Sequence, residues 1–309
     1  MRKLKVVISG LIFPMTMMHY FWRAFERRND VELFVVGPFF GDYIPWNYGM
    51  RLPQKYVKYP DLPLPQQSAS MDVDPILIEV QMPEDMRNPD LWVQIDAGWH
   101  LSKRPNAKVV AHIQTDPHVL KGKYALPKSY SDINICMQTP YLEGNEFYLP
   151  YAYDPEIHYS DPKVEKIYDA CLVGLHYPQR DALVAGLRNL GYNVHYSIGE
   201  IYDDYRLLYN QSKIALSWSS LQDMPARVWE AFALGNLLVT NRMPDLPTFF
   251  VENDHYLGFD TLEEGIAKAD LALKNWETAK KIADAGHCKV NGHSWDRRIQ
   301  QILEVCKLR

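Results

Sequence analysis

Short aliphatic and β-branched runs alternate along the chain with stretches whose apolar residues recur at helical spacing. KVVIS (5–9) precedes a helical pattern from about Met17 to Arg28, and ELFVVG (32–37) follows. This is the order of a βαβ unit in a parallel sheet. Between Asp42 and Pro89 the rhythm gives way to sequence rich in Pro, Tyr and Gln, too proline-rich for a regular helix and too aromatic for simple disorder. It reads as a long functional loop with room for an edge strand, its aromatic part (43–60) suited to stacking on a sugar or base or to covering the sheet. The rhythm resumes with LWVQID (91–96), KVVAHIQ (108–114) and INICMQ (133–138), whose near-continuous apolar character suits strands covered on both faces.

FYLPYAYDPEIHYSDPKVEK (147–166) carries three prolines and no helical period, so it reads as a linker. The pattern then restarts with YDACLVG (168–174), a helix with Pro178 near its first turn and Gly191 just past its end, and NVHYS. A helix around Tyr202 to Asn210, KIALSW, a helix from about Pro225 to Leu234, and NLLVT complete this half. From Thr261 onward the spacing is helical. The expected organisation is α/β, with two Rossmann-like domains over 1–150 and 151–291 and a C-terminal helix over 292–309 that returns to the first domain.

Composition narrows the function. Lys plus Arg number 33 and Asp plus Glu 38, a formal charge of −5, so no global basic field favours a polyanion. Arg51, Lys55, Lys58, Lys103, Arg104, Lys121, Lys123 and Lys128 nevertheless give the first half a basic bias. The four cysteines are far apart with no C-x-x-C pair, which points away from a thiolate zinc site or a disulfide scaffold and towards a reducing cytoplasm. No apolar run approaches the roughly 20 residues of a membrane span.

Two places in the second half could hold an anion. Gly174 closes a strand and Arg180 lies in the first turn of the next helix; a glycine admits close approach and a helix N-terminus with an arginine attracts phosphate. The pattern is neither a Walker motif nor G-x-G-x-x-G. In SSLQDMPARVWEAFALGNLLVTN (219–241), Arg227 and Glu230 stand on one helix face. They can offer a guanidinium to a diphosphate and a carboxylate to a ribose diol; a weak surface ion pair is the plain alternative.

R-x-x-E-A-x-A-x-G followed by an apolar strand resembles the donor-binding helix of GT-B glycosyltransferases, in particular the group with CgeB-like spore-maturation proteins. YNQSKIALSWSS, DLPTFF, HYLGF and AGHCKVNGHSWDRRIQQIL agree in order, the last similar to that group's His-Thr-Tyr-x-x-Arg ending through His293, Ser294, Trp295 and Arg298. The resemblance covers about Asp169 to Leu303. It implies that Glu230 binds the ribose of a nucleotide-diphosphate sugar, most simply a UDP-sugar, and that Arg227 lies near the diphosphate. Many retaining relatives place a glutamate eight positions earlier; Gln222 stands there and keeps hydrogen bonding without the charge. Gly199, in HYSIGE (195–200), falls where such enzymes contact base or phosphates.

Two such domains are expected to face each other across a cleft, the first supplying the acceptor side. Ligands gather at strand C-termini in open parallel sheets, which makes Asp116 and His118, Asp96 and His100, and His19 candidates there. A carboxylate or imidazole beside an acceptor hydroxyl can remove its proton, and Asp116, before a proline, is the first choice. No Asp-x-Asp pair was expected at a strand end, hence a metal-independent transfer with no cofactor beyond the donor. The acceptor stays open among a small molecule, a glycan, a protein and a hydroxymethylated pyrimidine in DNA, and a catalytically silent sugar-nucleotide binder is the alternative from another class.

Overall fold

A computed structural model describes residues 2–12, 16–37, 72–80, 82–219 and 221–308. The chain forms two units, Met1–Pro150 with Trp295–Arg309, and Tyr151–Ser294. The aromatic loop 43–60, with Arg51, Lys55 and Lys58, lies outside the described residues.

In the first unit β1 (Leu4–Gly10), α1 (Met17–Glu26) and β2 (Val31–Val36) follow the apolar runs read above. A short β3 (Asp72–Val73) and α2 (Ile76–Glu79) precede β4 (Leu91–Asp96) and β5 (His100–Leu101). Then come β6 (Val109–Gln114), α3 (Pro117–Leu120), α4 (Ala125–Tyr130), β7 (Ile133–Cys136) and β8 (Phe147–Tyr148). Six strands pair in the order β2-β1-β4-β6-β7-β8, and β3 pairs separately with β5. Every pairing is parallel, so the central strands are covered on both faces: Val7, Ile8, Trp92, Val93 and Val110 have no exposed surface. The one polar group on that run of β1, Ser9, is satisfied by accepting the Trp92 indole N–H at 2.9 Å.

The second unit runs β9 (Tyr168–Val173), α5 (Pro178–Asn189), β10 (Val194–Ser197), α6 (Tyr202–Asn210), β11 (Ser212–Ser217), α7 (Ala226–Ala233), β12 (Leu237–Asn241), β13 (Leu257–Phe259), α8 (Leu262–Lys274) and α9 (Trp276–Lys289). Its sheet is again wholly parallel, in the order β10-β9-β11-β12-β13. Pro178 opens α5, where its missing N–H costs nothing. Helix α7 ends because Gly235 takes φ +76°, which lets the N–H groups of Gly235 and Asn236 return to the carbonyls of Phe232 and Ala231.

The last helix, α10 (Trp295–Val305), belongs to the first unit. Trp295 is fully buried and stacks on Tyr20 of α1 at 5.9 Å, and Arg27 pairs with Asp296 at 2.8 Å. Arg298, buried, donates from Nε to the Pro150 carbonyl at 2.9 Å. The ending noted in the sequence is thus divided by role: His293 packs on the Trp229 and Phe249 rings of the second unit, whereas Trp295 and Arg298 anchor the first.

Candidate functional site

At the C-terminal edge of the second unit's sheet, the ends of β9 and β10 lie side by side, because the Gly174 N–H donates to the Ser197 carbonyl at 3.0 Å. Gly174 takes φ +152°, and a side chain there would strike Nη2 of Arg227 and lie 3.3 Å from Nη1 of Arg180. The glycine is what lets two guanidinium groups close over the strand end. Arg227 rises from the first turn of α7, whose N-cap, Pro225, offers no side-chain hydrogen bond to the helix. The positive end of the helix therefore adds to the two arginines.

The arginines differ in their bonding. Arg180 is buried and donates from Nε and Nη2 to the Trp218 carbonyl, at 3.0 and 2.8 Å, and from Nη1 to the Leu175 carbonyl at 3.0 Å. The sequence suggested a phosphate ligand; the structure shows a brace between the loops after β9 and β11. Burial, with the neighbouring Arg227 charge, brings Arg180 down to about 10, so it stays charged at neutral pH. Arg227 has Nε and Nη1 buried with no hydrogen-bond partner. Burial opposes its charge, but the hydroxyls of Tyr209 and Tyr205 and the Glu230 carboxylate hold it above the ordinary arginine range. Two like charges side by side, one of them with unpartnered donors, make a site that an anion would stabilise.

Glu230, one turn along α7, is buried and accepts the Tyr205 hydroxyl on Oε2 at 2.8 Å, while His158 Nε2 lies 3.7 Å from Oε1. No ion pair joins Glu230 to Arg227, which removes the surface-pair alternative. Tyr205 stays protonated: burial, then the Glu230 charge, push its hydroxyl well above the usual range. Tyr205 and His158 were not among the residues the sequence singled out, since neither belongs to the motif on α7. Gln222 is exposed at φ +57° and Gly199 takes φ +110°, both in the loops around this edge.

The first unit's candidates separate by burial. Asp116 is half-buried after β6; its backbone carbonyl accepts the N–H groups of Val119 and Leu120, and its Oδ2 accepts the Thr115 hydroxyl at 2.6 Å. His118 is half-buried beside Tyr141, with Nδ1 unpartnered. His19 and His100 are only 5% and 4% exposed. His100 Nδ1 lies 3.1 Å from Oδ2 of Asp96, which also meets His112 Nε2 at 3.0 Å. Burial raises the Asp96 carboxyl, and the two imidazoles more than reverse this, leaving it below its ordinary value.

One expectation needs correction. An Asp-x-Asp pair does occur, Asp72-Val73-Asp74, across the end of β3. Asp74 is engaged elsewhere: its carboxylate accepts the Ile76 N–H at 3.0 Å and the Lys103 ammonium at 2.9 Å, which together hold it below the usual range. The basic bias is in part locally paired. Lys103, Arg104 and Lys128 pair with Asp74, Asp132 and Glu143 at 2.9, 2.8 and 2.9 Å, so the charge of these three is locally balanced.

Two parallel α/β sheets, each flanked by helices, form two Rossmann-like domains, the fold of GT-B glycosyltransferases. Residues 164–304 match the model of the glycosyl transferase-like family. No curated protein sequence matches the chain. Among solved structures, sucrose-phosphate synthase from Thermosynechococcus elongatus is similar at 11% identity and TM-score 0.66, over 99% of this chain and 98% of that one. Anabaena Alr3699/HepE in complex with UDP-glucose aligns at 9% identity and TM-score 0.66, covering 98% and 99%. An alpha-glucosyltransferase in complex with UDP-glucose and DNA containing an abasic site aligns at 9% identity and TM-score 0.67, covering 99% and 100%. At these identities the likeness is one of fold. Among the described residues no helix is long and apolar enough to cross a membrane.

Proposed function

We propose that the protein is a glycosyltransferase that moves a sugar, a hexose or close relative, from a nucleotide-diphosphate sugar to an acceptor hydroxyl. The observation that carries this reading is Arg227: a charged group held against Gly174 with Nε and Nη1 unpartnered, one helical turn from the Glu230 carboxylate. That pair spans the diphosphate and ribose of one nucleotide. Uridine diphosphate is the preferred nucleotide, by analogy with the UDP-glucose complexes of two similar folds. In the reaction the bond between the anomeric carbon and the diphosphate oxygen breaks, the acceptor oxygen bonds to that carbon, and the acceptor proton leaves.

Charge developing on the departing diphosphate falls to Arg227, with Arg180 and the α7 N-terminus behind it. No step then requires a metal ion, and turnover is expected to survive chelation by EDTA; loss of activity restored by magnesium or manganese overturns this part. The acceptor-side base is Asp116, with His118 next, since both lie half-exposed at the end of β6. Asp116→Asn should lower turnover by about 10²–10⁴-fold, the usual contribution of a general base, with nucleoside diphosphate affinity unchanged. Full turnover in that variant reassigns Asp116 to the turn it caps. The local balance of Lys103, Arg104 and Lys128 favours a small-molecule, glycan or protein acceptor over modified DNA. Four free cysteines, three of them buried, agree with a cytoplasmic enzyme. Hydrolysis or transfer of a UDP-sugar by the purified chain distinguishes an enzyme from a silent binder.

A further inference from the structure

Each oxygen of Glu230 faces a different buried neighbour. Oε2 accepts the Tyr205 hydroxyl at 2.8 Å, and Oε1 faces His158 Nε2 at 3.7 Å. His158 is 2% exposed and fixed at both ends: its own N–H donates to the Asp154 carbonyl at 2.7 Å, and its Nδ1 accepts the Asp154 N–H at 3.0 Å. A ring nitrogen that accepts carries no proton, so the neutral imidazole holds its proton on Nε2, directed at Glu230. Asp154 is itself fully buried and accepts the Glu156 N–H on Oδ1 at 2.9 Å. The Tyr205 ring is clamped as well, stacked on Tyr209 at 4.2 Å and met edge-on by the His158 ring at 5.8 Å. Neither side chain can turn away from the carboxylate without disturbing packed rings.

A carboxylate offers about four lone-pair directions. With Tyr205 occupying one on Oε2 and His158 bounding Oε1, the carboxylate is held in one rotamer, and its remaining directions are fixed relative to Arg227 on the same helix. A freely rotating carboxylate would have to be ordered by each ligand it binds. We propose that Tyr205 and His158 are positioning residues that set the Glu230 carboxylate for a vicinal diol, so that the site selects ribonucleotide over 2′-deoxyribonucleotide donors. This rests on the assignment of Glu230 to the ribose, and the experiment separates the two.

Affinities are measured by calorimetry for inorganic pyrophosphate, for whichever of UDP, GDP and ADP binds tightest, and for its 2′-deoxy analogue. The proteins are the wild type, Glu230→Ala, Tyr205→Phe, His158→Leu and His158→Gln. Wild type is expected to prefer the ribonucleotide, and Glu230→Ala to abolish the preference. Tyr205→Phe should shrink it roughly tenfold, the scale of one hydrogen bond to a charged group, and His158→Leu, whose Nε2 stands 3.7 Å from Oε1, by a smaller factor, while pyrophosphate affinity holds. His158→Gln, which can still aim an N–H at Glu230, should restore part of it. If Glu230→Ala leaves the preference intact, or no diphosphate binds the wild type, the ribose assignment falls and the inference with it. If Glu230→Ala abolishes the preference but Tyr205→Phe and His158→Leu do not change it, the assignment stands and the positioning role is refuted. Equal losses for pyrophosphate and nucleotide in those two variants also refute it, as general damage to the site.

Discussion

Each unit gathers charged side chains at or near the C-terminal end of its parallel sheet, yet the two clusters are built on opposite terms. In the first unit Asp96 has its oxygens bonded internally, to His100, His112 and the Gly98 N–H at 3.1, 3.0 and 2.8 Å, and the carboxylate has no exposed surface. In the second unit Arg227 keeps buried Nε and Nη1 without partners, next to the like charge of Arg180. Although His112 Nδ1 is buried without a partner, the charged group of the first cluster is saturated. A saturated buried charge stabilises and orients the fold, whereas an unsaturated one carries a free-energy cost that a ligand can relieve. Composition alone would rank the Asp-His cluster as the better catalytic candidate. Saturation ranks it second.

That contrast fails most visibly if Asp96 can be lost cheaply. Asp96→Ala strands two buried imidazoles and a backbone N–H, and should destabilise the chain by about 3 kcal/mol or more in urea unfolding, with nucleoside diphosphate affinity of the folded variant unchanged. A loss under about 0.5 kcal/mol, the scale of an ordinary surface substitution, would show that the cluster is not structural.

Arg227→Met tests the other side. It removes two unpartnered buried donors and the repulsion with Arg180 but also the attraction of Glu230, so the melting temperature should change little while UDP affinity falls by about 1.5–3 kcal/mol, the worth of hydrogen bonds to a charged group. A clear drop in melting temperature with unaltered affinity would make Arg227 a structural residue like Asp96.

The smallest effect is a pH dependence confined to the first unit. Burial raises the Asp90 carboxyl, but Lys108, the Lys5 N–H and Arg2, at 2.7, 2.9 and 2.8 Å, more than offset it and leave it at about 2. A depressed carboxyl contributes stability above its ordinary value of 3.8 and loses it as pH falls through about 2. Asp90→Asn should therefore cost about 1–2 kcal/mol at neutral pH, after allowance for the exposed lysine and arginine, and progressively less below pH 4. A cost independent of pH down to about 2 would mean that packing, not charge, sets it.

The strand runs were legible because a parallel strand covered on both faces must be apolar nearly throughout: LWVQID and YDACLV are β4 and β9 to within a residue. The short strands β5, β8 and β13 were missed, being two or three residues long with no period to detect, and β8 fell in the stretch read as a linker; β3 lies in the loop for which the sequence left room for an edge strand. On α7, Arg227 and Glu230 were legible because their spacing alone puts them on one face. The bracing role of Arg180 was not legible, because a local pattern places an arginine at a helix start but cannot tell that it donates to the carbonyls of Leu175 and Trp218. Tyr205 meets Glu230 across 25 positions, and no periodicity connects them.

The amino-acid sequence by itself determined the alternation of strands and helices, the α/β class and the helix that carries Arg227 and Glu230. These follow from periods of two and 3.6 residues and from glycine and proline at turns, all set by near neighbours. Only the tertiary structure decided which polar groups are satisfied. Whether a guanidinium is a brace or an open anion site, and whether an imidazole faces solvent or a buried carboxylate, depends on partners brought together by packing over long separations.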